Sequence, residues 1–369
     1  MTAGTLASLS NSIFASLGVP GCNDELGIGP SPTKRECLVL IDGMGSLALE
    51  EFGNNYSIFS QAISKSNLNS IFPTTTTVNL TSLGTGELPG VHGMLGYTVR
   101  VPRSGEPGRL LNALKWDERV DPVIWQKTPT LFERANSFGV TTSQISAKRY
   151  ENTGFTRAAL RGATYIGANQ ISDISSQAAL ALHSENSFAY VYINHLDVAG
   201  HEEGVGSEKW LQALATVAQL LTELNEKLPV GTRIWVSADH GMLNATEKIV
   251  LGDENPLLNS VTLIGGEPRA RHLYVRAGSE NEIKSLYEEF LGQRAQVFTK
   301  SEAVSKGYFG SVVSEDSLDR IGDLIVIARG GLILIDPERV KQEGSMVGHH
   351  GGLDQIEVLI PLLAYQSQT

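Results

Sequence analysis

An α/β fold, built on a mostly parallel central sheet sandwiched between helices and carrying a small inserted subdomain, is predicted by three features of the chain. Short apolar runs, Cys37-Leu38-Val39-Leu40-Ile41, Ala189-Tyr190-Val191-Tyr192-Ile193 and Ile234-Trp235-Val236-Ser237-Ala238, have the length and the β-branched and aromatic content of parallel strands buried on both faces. Helical patterns at 129–138, 172–184 and 207–227 alternate with strands, the last amphipathic through Trp210, Leu211, Leu214, Val217, Leu220 and Leu221. Such alternation is the mark of a parallel sheet covered on both sides. Each apolar run also leads to an aspartate, Asp42, Asp197 or Asp239, and open α/β sheets take their ligands beyond the carboxyl ends of the strands.

Taken in order, residues 1–36 form an N-terminal helix and lead-in. Leu6, Leu9, Ile13 and Leu17 fall at helical spacing, and Gly18 and Pro20 end the helix. The remainder, 37–369, reads as one catalytic domain. After Asp42, Gly43 and Gly45 permit a tight turn into a helix over 47–52 that stops at Gly53. A strand-like stretch, 68–72, runs into Pro73 and four threonines, and a helix over 78–84 closes at Gly84 and Gly86. The segment 100–121, rich in Pro, Gly and charge, reads as an irregular excursion over the rim. Between 251 and 340 the pattern changes to candidate strands at 261–264, 272–276, 323–328 and 332–335, which marks this stretch as the inserted subdomain.

Composition narrows the function. With 369 residues, 41% of them hydrophobic, the chain fills a sizeable core. A net charge of -11 argues against a protein that coats nucleic acid, whose affinity rests on clustered Lys and Arg. An anionic small-molecule substrate then needs local positive charge, which bound divalent cations supply. Two cysteines, Cys22 and Cys37, are too few for a disulfide framework and point to a reducing, cytoplasmic compartment. Residues 1–23 carry no charged side chain, yet they lack the basic segment of a signal peptide, and Ser8, Ser10, Ser12 and Ser16 interrupt any apolar block. Gly21-Cys22 is faintly like a lipoprotein cleavage site and fails for the same missing segment. No stretch is long and apolar enough to span a bilayer, and no membrane partner is expected. Oligomeric state is not legible.

The chemistry gathers at the strand ends. Asp197 and His201 stand four apart, so a helix there puts both on one face. Asp239-His240 is followed by Gly241, which lets the backbone turn sharply, and Gly348-His349-His350-Gly351 supplies a further imidazole. Each pair alone is as consistent with a solvated turn. Together Asp42, Asp197, His201, Asp239, His240 and one of His349 or His350 give three carboxylates and three imidazoles, enough for two divalent ions with three protein ligands each. Zinc suits such a set, and manganese or iron fits it too. Two ions roughly 4 Å apart clamp the attacking and leaving oxygens of an in-line phosphoryl transfer. The run Pro73-Thr74-Thr75-Thr76-Thr77 lies between strand and helix, where backbone amides and the helix dipole favour an anion. One of its threonines could equally cap the helix. A threonine acts as nucleophile only when a metal stabilises its alkoxide.

In this order the motifs Leu40-Ile41-Asp42-Gly43-Met44-Gly45, Phe72-Pro73-Thr74-Thr75-Thr76, the trail from Thr85-Gly86 through Pro89 to His92-Gly93, Asp197-xxx-His201, Ala238-Asp239-His240-Gly241-Met242 and His350-Gly351 resemble the type I phosphodiesterase/nucleotide pyrophosphatase branch of the alkaline phosphatase superfamily. The resemblance covers about 37–363 and implies an alkaline phosphatase-like fold. It also implies that Asp42, Asp239 and His240 hold one zinc together with Thr76, and that Asp197, His201 and His350 hold the other. Thr76 rather than Thr75 matches the family nucleophile, because it lies three residues before Asn79. His350 rather than His349 matches the ligand that directly precedes glycine. The chain departs from the pattern at Thr77-Val78, where the family's nucleotide pyrophosphatases have Phe-Pro, and at Met94-Leu95-Gly96-Tyr97, where they have a phosphate-holding asparagine. Tyr97, Lys148 or Arg149 could take over that contact. His92 and His195 are expected to be hydrogen-bonded structural residues, and His183 and His272 carry no signal.

The expected activity is hydrolysis of phosphodiester or pyrophosphate bonds through a phosphothreonine intermediate. Its alternatives are a phosphomonoesterase, phosphonate hydrolase or phosphosugar mutase of the same superfamily, or a metal-binding protein without catalysis.

Overall fold

The computed structural model describes residues 4–105 and 108–368. A seven-stranded sheet runs in the order Ser64–Asn69, Leu359–Gln366, Arg233–Ser237, Arg35–Ile41, Ser187–Ile193, Thr141–Ser146, Thr164–Gly167. The last five are mutually parallel, whereas Leu359–Gln366 runs antiparallel to both its neighbours. The expected α/β class and mostly parallel sheet are therefore found. Cys37 to Ile41 are completely buried, which is why that strand is continuously apolar instead of alternating. Phe188 and Tyr190 pack against Phe132 of the Leu131–Ser137 helix, and Phe188 also meets Phe14 of the docked Leu6–Ser16 helix. The Glu208–Lys227 helix packs against both Ile171–Ala181 and His195–Glu203 beside the sheet.

Register positions the site. Ile41 is level with Ile193, and Leu40 with Ser237, so three adjacent parallel strands finish at one height. Asp42, Asn194 and Asp239 are then carried to a common rim.

Two expectations are corrected. The strand expected at 68–72 is Ser64–Asn69 instead, an edge strand in which only Leu68 is fully buried; edge strands are commonly polar, which hides them from a search for apolar runs. Ile71 and Phe72 are buried in the turn that follows, where the Asn79 side chain accepts from the Ile71 amide (2.8 Å) and donates to its carbonyl (3.0 Å), replacing a strand partner. The excursion expected at 100–121 contains most of an antiparallel hairpin, Thr98–Val101 with Arg109–Asn112. It docks by Thr98 Oγ1 donating to the Gly266 carbonyl and the Arg100 amide donating to the Tyr274 hydroxyl, both at 2.9 Å. Its charged composition concealed a pairing that docks on the neighbouring sheet and buries Val99 and Leu111 in the main core.

That neighbour is a four-stranded antiparallel sheet, Val261–Glu267, Ala270–Val275, Leu324–Ala328, Ala295–Thr299 in order, with the Glu280–Leu291 helix beside it. Leu332–Ile335 pairs in parallel with Glu247–Val250. Leu324, Val326 and Ala328 join a local apolar cluster with Ile283, Tyr287 and Leu291, whereas Ile325 and Ile327 join the main core. One strand thus serves two cores through its alternating faces. Arg269, fully buried, reaches across from this sheet to Glu357 (3.1 and 2.7 Å) and Asp354 (2.9 Å). Glu357 in turn accepts from the Gly352 amide at 2.8 Å, which fixes the loop that carries His350. No helix among the described residues is long and apolar enough to cross a membrane.

Candidate active site

Asp42 directly follows the central strand, and its amide continues the ladder to the Ile193 carbonyl at 2.9 Å. Gly43 next to it has φ +75°, and a Cβ there would stand 3.1 Å from Asp197 Cα, so glycine lets the two strand ends close on each other. Gly241 follows His240, and a Cβ there would fall 1.9 Å from the Ile356 carbonyl oxygen, so glycine lets the Gln355–Val358 helix approach this strand end. Asp197 and His201 lie one turn apart on the His195–Glu203 helix, with His201 Nε2 3.3 Å from Asp197 Oδ1.

Six side chains meet in two adjoining groups. Asp42, Asp239 and His240 form one and Asp197, His201 and His350 the other, each with its donor atoms within 4.8 Å of one another. The His240 and His350 rings stack across the boundary, their centroids 3.6 Å apart. His349 is not in either group. It sits opposite Leu243 in a short ladder and its Nε2 points to the Met346 carbonyl. Thr76 opens the Thr76–Thr85 helix, with Oγ1 3.2 Å from His240 Nε2 and 3.5 Å from Asp42 Oδ1. Thr75 is the extended residue before that helix and makes no side-chain cap.

The donor set fits cations. Each imidazole donates Nδ1–H to a carbonyl: His201 to Gly348 (2.8 Å), His350 to Thr74 (2.9 Å) and His240 to Gly241 (3.1 Å). A carbonyl only accepts, so the neutral rings carry their proton on Nδ1 and turn a bare Nε2 lone pair inward, the arrangement that orients metal-binding histidines. Asp197 Oδ1 and Asp239 Oδ2, which face those nitrogens, are buried and have no hydrogen-bond partner. Unpartnered buried carboxylate oxygens are costly unless a cation or donor meets them. Burial, followed by the charges of Asp197 and Asp239, pushes the Asp42 carboxyl well above its ordinary range. Three crowded carboxylates of this kind call for positive charge between them.

Tyr192, which the sequence reading had only as a strand residue, donates its hydroxyl to Asp42 Oδ2. It lies two residues before Asn194, which follows the strand, and the period-2 alternation of a strand ending at a rim is the signal that could have found it. Of the three candidates for the missing phosphate contact, Lys148 is exposed and Tyr97 is held through its amide to Glu267 (2.9 Å), whereas Arg149 bonds to Tyr150 and Asn194.

His92 lies outside both groups. Its Nδ1 accepts from the Met94 amide (3.1 Å), so the neutral ring donates Nε2–H to Ser82 Oγ (2.9 Å). Burial, aided by Arg320, holds this imidazole down at about 3. An unfolded histidine takes up its proton near pH 6.5, so the stability this ring gives is complete above that value and is lost as pH falls toward 3. Urea titrations of the parent protein should show a contribution of about 1.4 kcal/mol per pH unit between about pH 6 and 4, and His92→Gln should flatten the slope by that amount. An unchanged slope would mean that the ring already binds its proton when folded. His195 is exposed, and partial desolvation, with Arg149 nearby, lowers its imidazole. His272, buried, accepts from the Gly322 amide at 3.0 Å.

Residues 37–353 match the model of the type I phosphodiesterase / nucleotide pyrophosphatase family. The chain belongs to this family. It is accordingly a phosphoric ester hydrolase, of a metal-dependent family. No curated protein matches it in sequence. Solved structures share its fold at low identity. Murine ectonucleotide pyrophosphatase/phosphodiesterase 5 has a TM-score of 0.69 at 16% identity, covering 90% of this chain and 88% of its own. An inactive threonine-to-alanine variant of that murine protein, in complex with AMP, gives 0.68 at 15%, covering 90% and 88%. Phosphonoacetate hydrolase from Sinorhizobium meliloti 1021, in complex with phosphonoacetate, gives 0.67 at 17%, covering 91% and 90%.

Proposed function

We propose that the protein cleaves phosphodiester or pyrophosphate bonds with Thr76 as nucleophile and two divalent cations, zinc foremost, held by Asp42, Asp239 and His240 with Thr76 and by Asp197, His201 and His350. The observation that carries this reading is the threonine hydroxyl at a helix start, 3.2 Å from His240 and 3.5 Å from Asp42, beside three imidazoles that all turn Nε2 inward. When bound, the cations supply Lewis-acid stabilisation of a threonine alkoxide and of the phosphoryl oxygens.

The chain's own groups do the rest. Thr76 Oγ1 attacks phosphorus, a bond forms to it as the bond to the leaving oxygen breaks, and a phosphothreonine results. Water then attacks the same phosphorus and returns Thr76 to its hydroxyl. The first amides of the Thr76–Thr85 helix have no partner within the helix and favour the anion during both steps. Tyr192 keeps Asp42 in place. The inactive threonine-to-alanine variant of the murine structural relative supports the assignment of the nucleophile.

A second reading, a phosphonate hydrolase, is favoured by the likeness to phosphonoacetate hydrolase. Rates on nitrophenyl phosphate, bis(nitrophenyl) phosphate and a nitrophenyl nucleotide, beside phosphonoacetate, separate the two. Fastest turnover of the diester or the nucleotide is expected, and preference for the monoester or the phosphonate would overturn the proposal. Free Cys22 and buried, free Cys37 support a reducing, cytoplasmic setting.

A further inference from the structure

Beside the six ligand candidates, Asn194 directly follows the Ser187–Ile193 strand and meets the turn Lys148–Tyr150. Arg149 Nη2 donates to Asn194 Oδ1 at 3.2 Å and to the Tyr150 hydroxyl oxygen at 2.8 Å. Asn194 Nδ2 donates to the same hydroxyl oxygen at 2.9 Å. A guanidinium has donors only, so it fixes the amide with its oxygen toward Arg149 and its nitrogen toward Tyr150. Both acceptor positions of the Tyr150 oxygen are then taken, and what the hydroxyl has left is its proton. Among the described residues no acceptor receives that proton.

Tyr150 and Asn194 line one cavity of about 140 Å³ with Asp42, Thr76 and Asp197. A space of this size holds a guest on the scale of benzene, so its walls all lie close to whatever enters. The Tyr150 ring stands edge-on to Tyr192, with centroids 6.0 Å apart, and Arg149 Cζ lies 4.7 Å from the Tyr150 ring centre. A hydroxyl that accepts two N–H bonds, one from a cation, is polarised into a stronger donor.

We infer that the Tyr150 hydroxyl is a substrate-facing donor to a non-bridging phosphoryl oxygen, with Arg149 and Asn194 as the residues that force it into that role. The inference rests on the phosphoryl-transfer reading of the site. In that transfer, charge is spread over the equatorial oxygens, and a fixed donor aimed at one of them stabilises the transferring group. The loss of the family's phosphate-holding asparagine is then met by a tyrosine from another strand end.

The test uses the full-length, metal-loaded enzyme, with kcat and KM for bis(nitrophenyl) phosphate and calorimetric binding of inorganic phosphate as separate readouts. Tyr150→Phe keeps the ring and removes the proton; it should lower kcat/KM and phosphate affinity by about 10–100-fold, the range for one charge-assisted hydrogen bond, with metal content unchanged. If Arg149 acts through Tyr150, Arg149→Met should cost activity alone and little more in the Tyr150→Phe background. Parent-like phosphate affinity and kcat/KM in Tyr150→Phe overturn the inference, as does an Arg149→Met effect that is fully additive with it. Persistent turnover in a Thr76→Ala variant would instead remove the nucleophile, and the phosphate-binding readout would still decide the role of Tyr150.

Discussion

Thr76→Ala is expected to lower kcat for a phosphodiester by about 10⁴-fold or more, the scale seen when an enzyme loses its nucleophile. The effect should be chemical, not structural. Thr76 begins its helix, where alanine is tolerated, and its hydroxyl contacts only Asp42 and His240 among the described residues. Metal content and thermal midpoint should therefore stay near the parent's. Thr76→Ser should retain part of the activity, since it keeps an oxygen at the same position. Thr75→Ala is the internal control, because Thr75 is the extended residue before the helix, and the hydroxyl beside Asp42 and His240 belongs to Thr76. Rates measured with mass-spectrometric metal analysis decide the matter, and a Thr76→Ala enzyme as fast as the parent would remove Thr76 from the mechanism.

The second large effect is expected on metal removal. Dialysis against a strong chelator should abolish hydrolysis, and zinc, manganese or iron should restore it to differing degrees. Stability should respond in step. Without cations, Asp42, Asp197 and Asp239 crowd together, and two of their buried oxygens lack partners. A cation that binds only the folded chain raises stability by about 4 kcal/mol at a thousandfold excess over its dissociation constant. The midpoint of thermal unfolding should therefore climb with metal concentration. Asp239→Asn, which removes this residue's charge but keeps its shape, should weaken that climb. A chelated protein with full activity and an unmoved midpoint would refute the two-cation site.

The central strands were legible because parallel strands covered on both faces must be apolar throughout, and the aspartates that end them stood out against such runs. The Ser64–Asn69 strand was not legible in its true place, since an edge strand with four exposed residues carries no apolar signal. The hairpin joining Thr98–Val101 to Arg109–Asn112 escaped notice for a related reason: its partner is a sheet distant in sequence. Tyr150 offered nothing by spacing or motif. Its meaning comes from how many hydrogen bonds its oxygen accepts, and that depends on Asn194, which lies 44 residues away.

By itself, then, the sequence determined the α/β class, the buried strands and the carboxylates and imidazoles available at their ends, because burial and backbone turning restrict residue type locally. The motif resemblance favoured His350 over its neighbour, but the physical reason why one of two adjacent groups faces the common rim lies in the tertiary structure. Neighbouring residues point in different directions, so His349 turns to the Met346 carbonyl while His350 stacks on His240, and a shift of one position exchanges a rim-facing imidazole for a packing one.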